Sequence, residues 1–190
     1  GTQFKTLRDS GRLTELDGDR AADMYDMTQD MMGTAGLPAY EISNYAAKGQ
    51  ESQHNLAYWK YRDYVGIGPG AHGRITLPNG DKVATRTHKA PDIWMQNVTD
   101  NRHGAKPFEI LDAKTQIQEK IMMGLRLRGG VDLGLLQEHD EIQTLFKNGF
   151  LETKNGCACV PLQHWTILDS ILAKILFQLG TKIKNQTNGK

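Results

Sequence analysis

The sequence predicts an α+β fold in two parts, and three observations carry that expectation. An apolar-periodic helix stands near the start, and a hairpin built on an Asn-Gly turn follows it. A polar stretch without periodicity, Asp100 to Pro107, then separates these from a second run of helices that includes a second hairpin. The parts read as 1–107 and 108–180, with a polar tail over 181–190.

In order, 19–32 is expected to be a helix, because Ala21, Met24, Met27/Thr28 and Met31 recur at i, i+3 and i+4, and Asp17 and Asp19 suit its positive start. Its methionines should fill a core, while Asp23, Asp26 and Asp30 face solvent. Gly33 and Gly36 end it; 39–43 reads as a strand, 44–53 as a polar loop, 54–61 as a short helix, and 64–68 as a buried strand running into Pro69-Gly70. Strands at 74–77 and 82–85 flank Pro78-Asn79-Gly80-Asp81, for which a type I′ turn is expected. A helix over 91–98 precedes the boundary. Beyond it, Asp112 caps a helix with Ile117, Ile121, Gly124 and Leu125 on one face, and Gly129-Gly130 breaks it. Shorter helices at 131–139 and 141–147, strands at 150–153 and 157–160, and a long helix carrying Leu162, Trp165, Leu168, Ile171, Leu172, Ile175 and Leu179 complete a winged-helix-like module.

The 190 residues, 38% hydrophobic and 24% charged, suit a globular chain with a core and exclude disordered or collagenous classes. Lys and Arg number 23 against 22 Asp and Glu, divided 13 to 13 before Phe108 and 10 to 9 from there on. Neither part has the clustered cations that nucleic-acid or anionic-membrane binding requires, and between Leu162 and Leu179 the basic residue is Lys174 alone, too little for a DNA-reading helix. No run approaches 18 apolar residues, and no basic-then-apolar signal segment opens the chain. Cys157 and Cys159 are expected to turn to opposite faces of a strand, badly placed to bridge or to clamp a metal, so a reducing, cytoplasmic setting is expected. The opening Gly1-Thr2-Gln3-Phe4 shows no element start, and the chain is expected to begin within a longer protein.

No P-loop, G-x-S-x-G, H-E-x-x-H or C-x-x-C is present. Gly66-Ile67-Gly68-Pro69-Gly70-Ala71 matches G-x-G-x-x-A, but a hairpin rather than a helix follows, so dinucleotide binding is not implied. These glycines suit positive φ or close backbone approach. His54-Asn55-Leu56-Ala57-Tyr58-Trp59 is the densest polar-aromatic cluster. As a helix it would put His54, Tyr58 and Tyr61 on one face, with imidazole and phenol able to ligate haem iron and aromatic rings able to wall a flat macrocycle. A half-buried structural helix is the alternative. His72, beside the glycines, could converge on the same pocket.

Tyr40-Glu41-Ile42-Ser43-Asn44-Tyr45-Ala46, His54 to Trp59, and Asp63-Tyr64-Val65-Gly66-Ile67-Gly68-Pro69-Gly70-Ala71-His72-Gly73 together resemble the radical S-adenosylmethionine haem chaperones of the HemW type, relatives of oxygen-independent coproporphyrinogen III oxidase. Gly124-Leu125-Arg126-Leu127 and Gly130-Val131-Asp132-Leu133 continue the likeness. The resemblance implies the last elements of a partial (β/α) barrel over 1–107 and the family's small helical domain over 108–180. It also implies haem binding by His54, as axial ligand, with Asn55 and Tyr58 orienting it and Trp59 and His72 nearby. Leu56, Ala57, Gly66, Gly68 and Gly70 would line the pocket. The family's C-x-x-x-C-x-x-C loop, which holds a [4Fe-4S] cluster beside S-adenosylmethionine, is not in these residues, so they are expected to be inactive alone. Haem and apo-haemoprotein acceptors are the implied partners; membrane association through an acceptor and homodimerisation stay open. Oxidative decarboxylation of coproporphyrinogen III is the enzymatic alternative, although the oxidases lack the His-Asn-x-x-Tyr-Trp pattern.

Overall fold

The computed structural model describes residues 2–136 and 140–187, with side chains described as far as Gly180. The first part contains α1 (Gln3–Asp9), α2 (Gly18–Thr34), β1 (Ala39–Glu41), β2 (Asn44–Tyr45), α3 (Gln53–Trp59), β3 (His72–Thr76), β4 (Lys82–Arg86) and α4 (Pro91–Asn101). The second contains β5 (Glu109–Ile110), α5 (Ala113–Gly124), β6 (Val131–Asp132), α6 (Asp140–Lys147), β7 (Glu152–Lys154), β8 (Cys157–Cys159) and α7 (Leu168–Thr187). Every strand pair between these elements is antiparallel, in sheets ordered β1-β2, β3-β4-β5 and β6-β8-β7. No helix among the described residues is long and apolar enough to cross a membrane.

The core belongs mostly to the second part. Ile121 and Leu125 of α5 and its end, Ile142 and Leu145 of α6, Ala158 of β8, and Leu168, Ile171, Leu172 and Ile175 of α7 pack into one cluster with Trp165. The Trp165 indole N–H donates to the Val160 carbonyl at 3.0 Å, so the ring is buried with its one polar atom satisfied. Asp112 caps α5 as expected, its carboxylate accepting from the Thr115 N–H at 2.6 Å. The polar stretch before Phe108 does not part the sheets. Thr87 bridges Ala105, and β5 pairs with β4 through Val83↔Ile110.

Several expectations are corrected. Thr2 caps α1 by accepting from the Lys5 N–H, so a helix does start there. The packed stripe of α2 is Ala22, Tyr25, Gln29 and Met32, about 100° from the expected one, leaving Met24, Met27 and Met31 exposed, the last at 65%. The Tyr25 hydroxyl donates to the Ile42 carbonyl at 2.8 Å, and this anchor orients the helix. The aspartate face is solvated as expected. In the β3–β4 turn Gly80 alone has positive φ, because Pro78 holds the first corner of the turn at negative φ; the type I′ geometry appears instead at Asn155-Gly156, between β7 and β8. Residues 131–135 form β6 and a 3₁₀ turn rather than a helix, while 137–139 lie outside the described residues. A 3₁₀ segment, Leu162–Ile167, precedes α7, whose backbone stays helical past Gly180 to Thr187; 188–190 lie outside the description. Cys157 and Cys159 share a face of β8, because the side-chain period of a strand is two, and both line one cleft.

Candidate functional site

Helix α3 is short and bounded on both sides. The Ser52 hydroxyl accepts from the Asn55 N–H at 3.3 Å, and Tyr61, at φ 54, turns the chain out of the helix. At about 100° per residue, His54 and Tyr58 share one side, and Asn55, Leu56, Trp59 and Lys60 occupy the other. Tyr61 leaves the expected His54–Tyr58 face.

On the first side the aromatic rings run in a row. His54 meets Tyr58 edge-on at 4.7 Å between centroids, and Tyr58 meets Tyr64 at 4.2 Å. Tyr64 is held by paired backbone bonds to Arg74 of 2.8 and 2.9 Å. The His54 imidazole is exposed at the end of this row. His72 is exposed on β3, two residues before Arg74, and shares no hydrogen bond or ring contact with His54.

The glycine segment is a loop rather than the expected strand. Tyr64 makes a single bridge, after which Gly68 and Gly70 take φ of 97° and 73° and curve the chain away. Gly66 lies so close to β3 that a Cβ there would run into the His72 carbonyl. The Thr87 hydroxyl donates to the Gly68 carbonyl at 2.6 Å and lies 2.8 Å from the donating Ala71 N–H, so the loop is a built turn. Val65 and Ile67 are 68% and 89% exposed instead of buried.

On the second side, the Asn55 amide donates to the Tyr40 hydroxyl at 3.3 Å rather than to His54, and Trp59 lies with its ring centroid 6.0 Å from the Arg126 guanidinium. Leu56 and Lys60 line a cleft of about 630 Å³ closed by Leu127, Lys154, Cys157 and Cys159. A second cleft of about 450 Å³, lined by Trp59, shares Lys60 and Leu127 with the first. Ala57 is half-buried and lines neither.

A clamp fixes the end of α3. The Tyr61 hydroxyl donates to Glu119 at 2.6 Å, and Arg74 donates to both oxygens of the same carboxylate at 2.9 and 2.6 Å, tying α3, β3 and α5 together. The Arg74 hydrogen bonds hold the Glu119 carboxyl below the ordinary range; burial, then the hydrogen bond to Glu119, push the Tyr61 phenol up. Lys82 donates to Asp63 at 2.8 Å and to the Tyr61 carbonyl at 3.2 Å.

Sequence reasoning did not single out Glu41 or Glu119. Glu41 is fully buried, and its carboxylate accepts from the Ser43 N–H and hydroxyl and the Asn44 amide. The signal was the Glu-x-Ser-Asn spacing itself, since Ser and Asn two and three residues on can fold back onto a carboxylate. The structure thus brings three sequence motifs together. Asn55–Tyr40 joins the second to the first, and Tyr58–Tyr64 joins it to the third.

No family model matches the chain. It is 33% identical over 201 residues to radical S-adenosyl methionine domain-containing protein 1, mitochondrial, of Mus musculus, covering 94% of this chain and 44% of that protein. It is also 31% identical over 178 residues to the heme chaperone HemW of Mycobacterium tuberculosis, covering 93% and 44%. The chain belongs to the HemW-type radical S-adenosylmethionine family. It spans about half the length of the curated relatives it matches, or less. HemW of Escherichia coli is 36% identical over 108 residues, 54% of this chain and 29% of that protein. Among solved structures, the Escherichia coli coproporphyrinogen III oxidase HemN, a radical SAM enzyme, matches with a TM-score of 0.56 over 83% of this chain and 40% of that one at 14% identity, a likeness of fold. In HemW-type terms, the three motifs lie on the β1–β2 turn, on α3 and on the glycine loop.

Proposed function

We propose that the chain is part of a haem chaperone and takes haem on the His54 side of α3 for delivery to apo-haemoproteins. The observation that carries this reading is the His54–Tyr58–Tyr64 row, which ends in an exposed imidazole. The imidazole supplies an axial ligand, and the two phenol rings, tilted 54° to one another, an aromatic flank for the macrocycle. Asn55 and Trp59 act from the far side of the helix, by fixing it to Tyr40 and Arg126, while His72, Leu56, Ala57, Gly66, Gly68 and Gly70 shape its surroundings. The heme chaperone relatives support the choice of cargo.

The residues present do not fit an iron–sulfur cluster, since the only two cysteines share one strand face and no group of three metal-ligating side chains exists among the described residues. No cluster or S-adenosylmethionine step is assigned to them. The fold likeness to HemN supports reading α2 and β1 as the last unit of a partial barrel. The order α5, β6, α6, β7, β8 supports a winged-helix-like second part.

Titration with haem tests the reading. His54→Ala should shift or abolish the Soret band while His72→Ala changes it less. Identical spectra for wild type and both variants would overturn histidine ligation.

A further inference from the structure

The cleft on the other side of α3 has an uneven charge. In a chain of net charge +1, its lining holds four cations, Lys48, Lys60, Arg128 and Lys154, against one carboxylate, Glu51. None of the four is ion-paired among the described residues. Glu51, whose carboxylate also accepts from the Gly49 N–H at 3.2 Å and feels Lys60, offsets one of the four charges and leaves the lining with an excess of three. Unpaired cations grouped around a concavity raise the local positive potential and attract anions. The wall between them is apolar, formed by Leu56 and Leu127, and the adjoining cleft adds the Trp59 ring. A volume of about 630 Å³ lies within the range of small-molecule sites, about 300–1,000 Å³. The chemistry asked of a ligand is therefore a flat apolar body carrying more than one carboxylate.

We propose that this cleft is a second ligand site, which takes the carboxylate edge of a tetrapyrrole on the side of α3 opposite His54. The choice of a tetrapyrrole rests on the haem-chaperone reading; the anionic, partly apolar character of the ligand rests on the cleft alone. Lys60 and Arg128 meet one carboxylate and Lys48 and Lys154 the other, with the ring plane against Leu56 and Leu127. Because a helix of about 10 Å diameter separates the two sides, this site is distinct from the one at His54. Cys157 lines it half-exposed and reports on occupancy.

The test uses metal-free protoporphyrin IX, which has no iron for His54 to bind, titrated by fluorescence into wild type, a Lys60→Glu/Arg128→Glu variant and His54→Ala. All three changed side chains are exposed. Charge reversal should weaken binding by about tenfold or more and by more than His54→Ala does, and the porphyrin dimethyl ester should bind more weakly than the diacid. The porphyrin should also protect Cys157 from alkylation. Equal affinity of the reversed variant and wild type, or of ester and diacid, would overturn the proposal. Displacement of an anionic dye by inorganic phosphate without any porphyrin binding would make this a phosphate site and overturn the tetrapyrrole assignment. Haem titration of the same variants separates the two readings. A Soret band unchanged by His54→Ala but weakened by charge reversal sinks the His54 assignment and keeps the cleft. A Soret band lost with His54→Ala, beside porphyrin binding indifferent to charge reversal, does the opposite.

Discussion

The Glu41 carboxyl group is buried with no ion-pair partner among the described residues, and the Ser43 and Asn44 donors fold back onto its oxygens. Glu41→Ala would leave those donors facing an empty space and should destabilise the chain by about 1–3 kcal/mol, read as a lower urea midpoint. The strand pattern does not say which carboxylate will find its own donors; the local signal for this one is the Glu-x-Ser-Asn spacing. The glycine loop carries a second prediction. Gly66→Ala sets a methyl group against the His72 carbonyl, whereas Gly80→Ala meets open space and suffers only its positive φ, at a cost of about 1 kcal/mol. Gly66→Ala should therefore lower the melting temperature more, and should speed hydrogen exchange across residues 66–73, while Gly80→Ala leaves that segment unchanged. Positive φ at Gly68 and Gly70 was readable from the motif; the backbone that Gly66 approaches was not, because β3 reaches it only through tertiary pairing.

At the scale of elements, the clamp of Tyr61, Arg74 and Glu119 makes the position of α3 depend on pH. The Glu119 carboxyl is held below its ordinary value, so its contribution to stability is fully present above the unfolded carboxylate range and is lost as the pH falls through the lower folded value. Urea midpoints should decline on acidification below about pH 4.5, the ordinary glutamate value, and Glu119→Gln should flatten that decline and lower the plateau at neutral pH. An unchanged pH profile in the variant would mean that the clamp does not report on stability. The elements themselves were mostly visible in advance. Periodicity located α2, α5 and the long C-terminal helix, but the half-buried stripe of α2 was misplaced by one residue because Met and Tyr both suit a core. Two Asn-Gly pairs join neighbouring strands, Asn79-Gly80 and Asn155-Gly156, and the Pro preceding the first decided which could become the type I′ turn.

For the molecule as a whole, the chain should bind less than one iron per molecule and cleave no S-adenosylmethionine after anaerobic iron–sulfur reconstitution, since two cysteines on one strand face cannot hold a cluster that ordinarily takes three or four. Iron and sulfide analysis checks this; about four irons per chain would refute it. The sequence by itself determined the α+β class, the second hairpin, the cap on α5 and the three motifs of the HemW-type family, because each depends on residues close together along the chain. Tertiary structure alone decided that α3 has two chemically different sides, an aromatic row toward the glycine loop and a cationic cleft toward the β7–β8 hairpin. It also placed Cys157 and Cys159 in the same cleft as Lys60, about a hundred residues away along the chain. Charges and rings so distant in sequence acquire a shared environment only when packing closes the loops between them, and no local pattern records that closure.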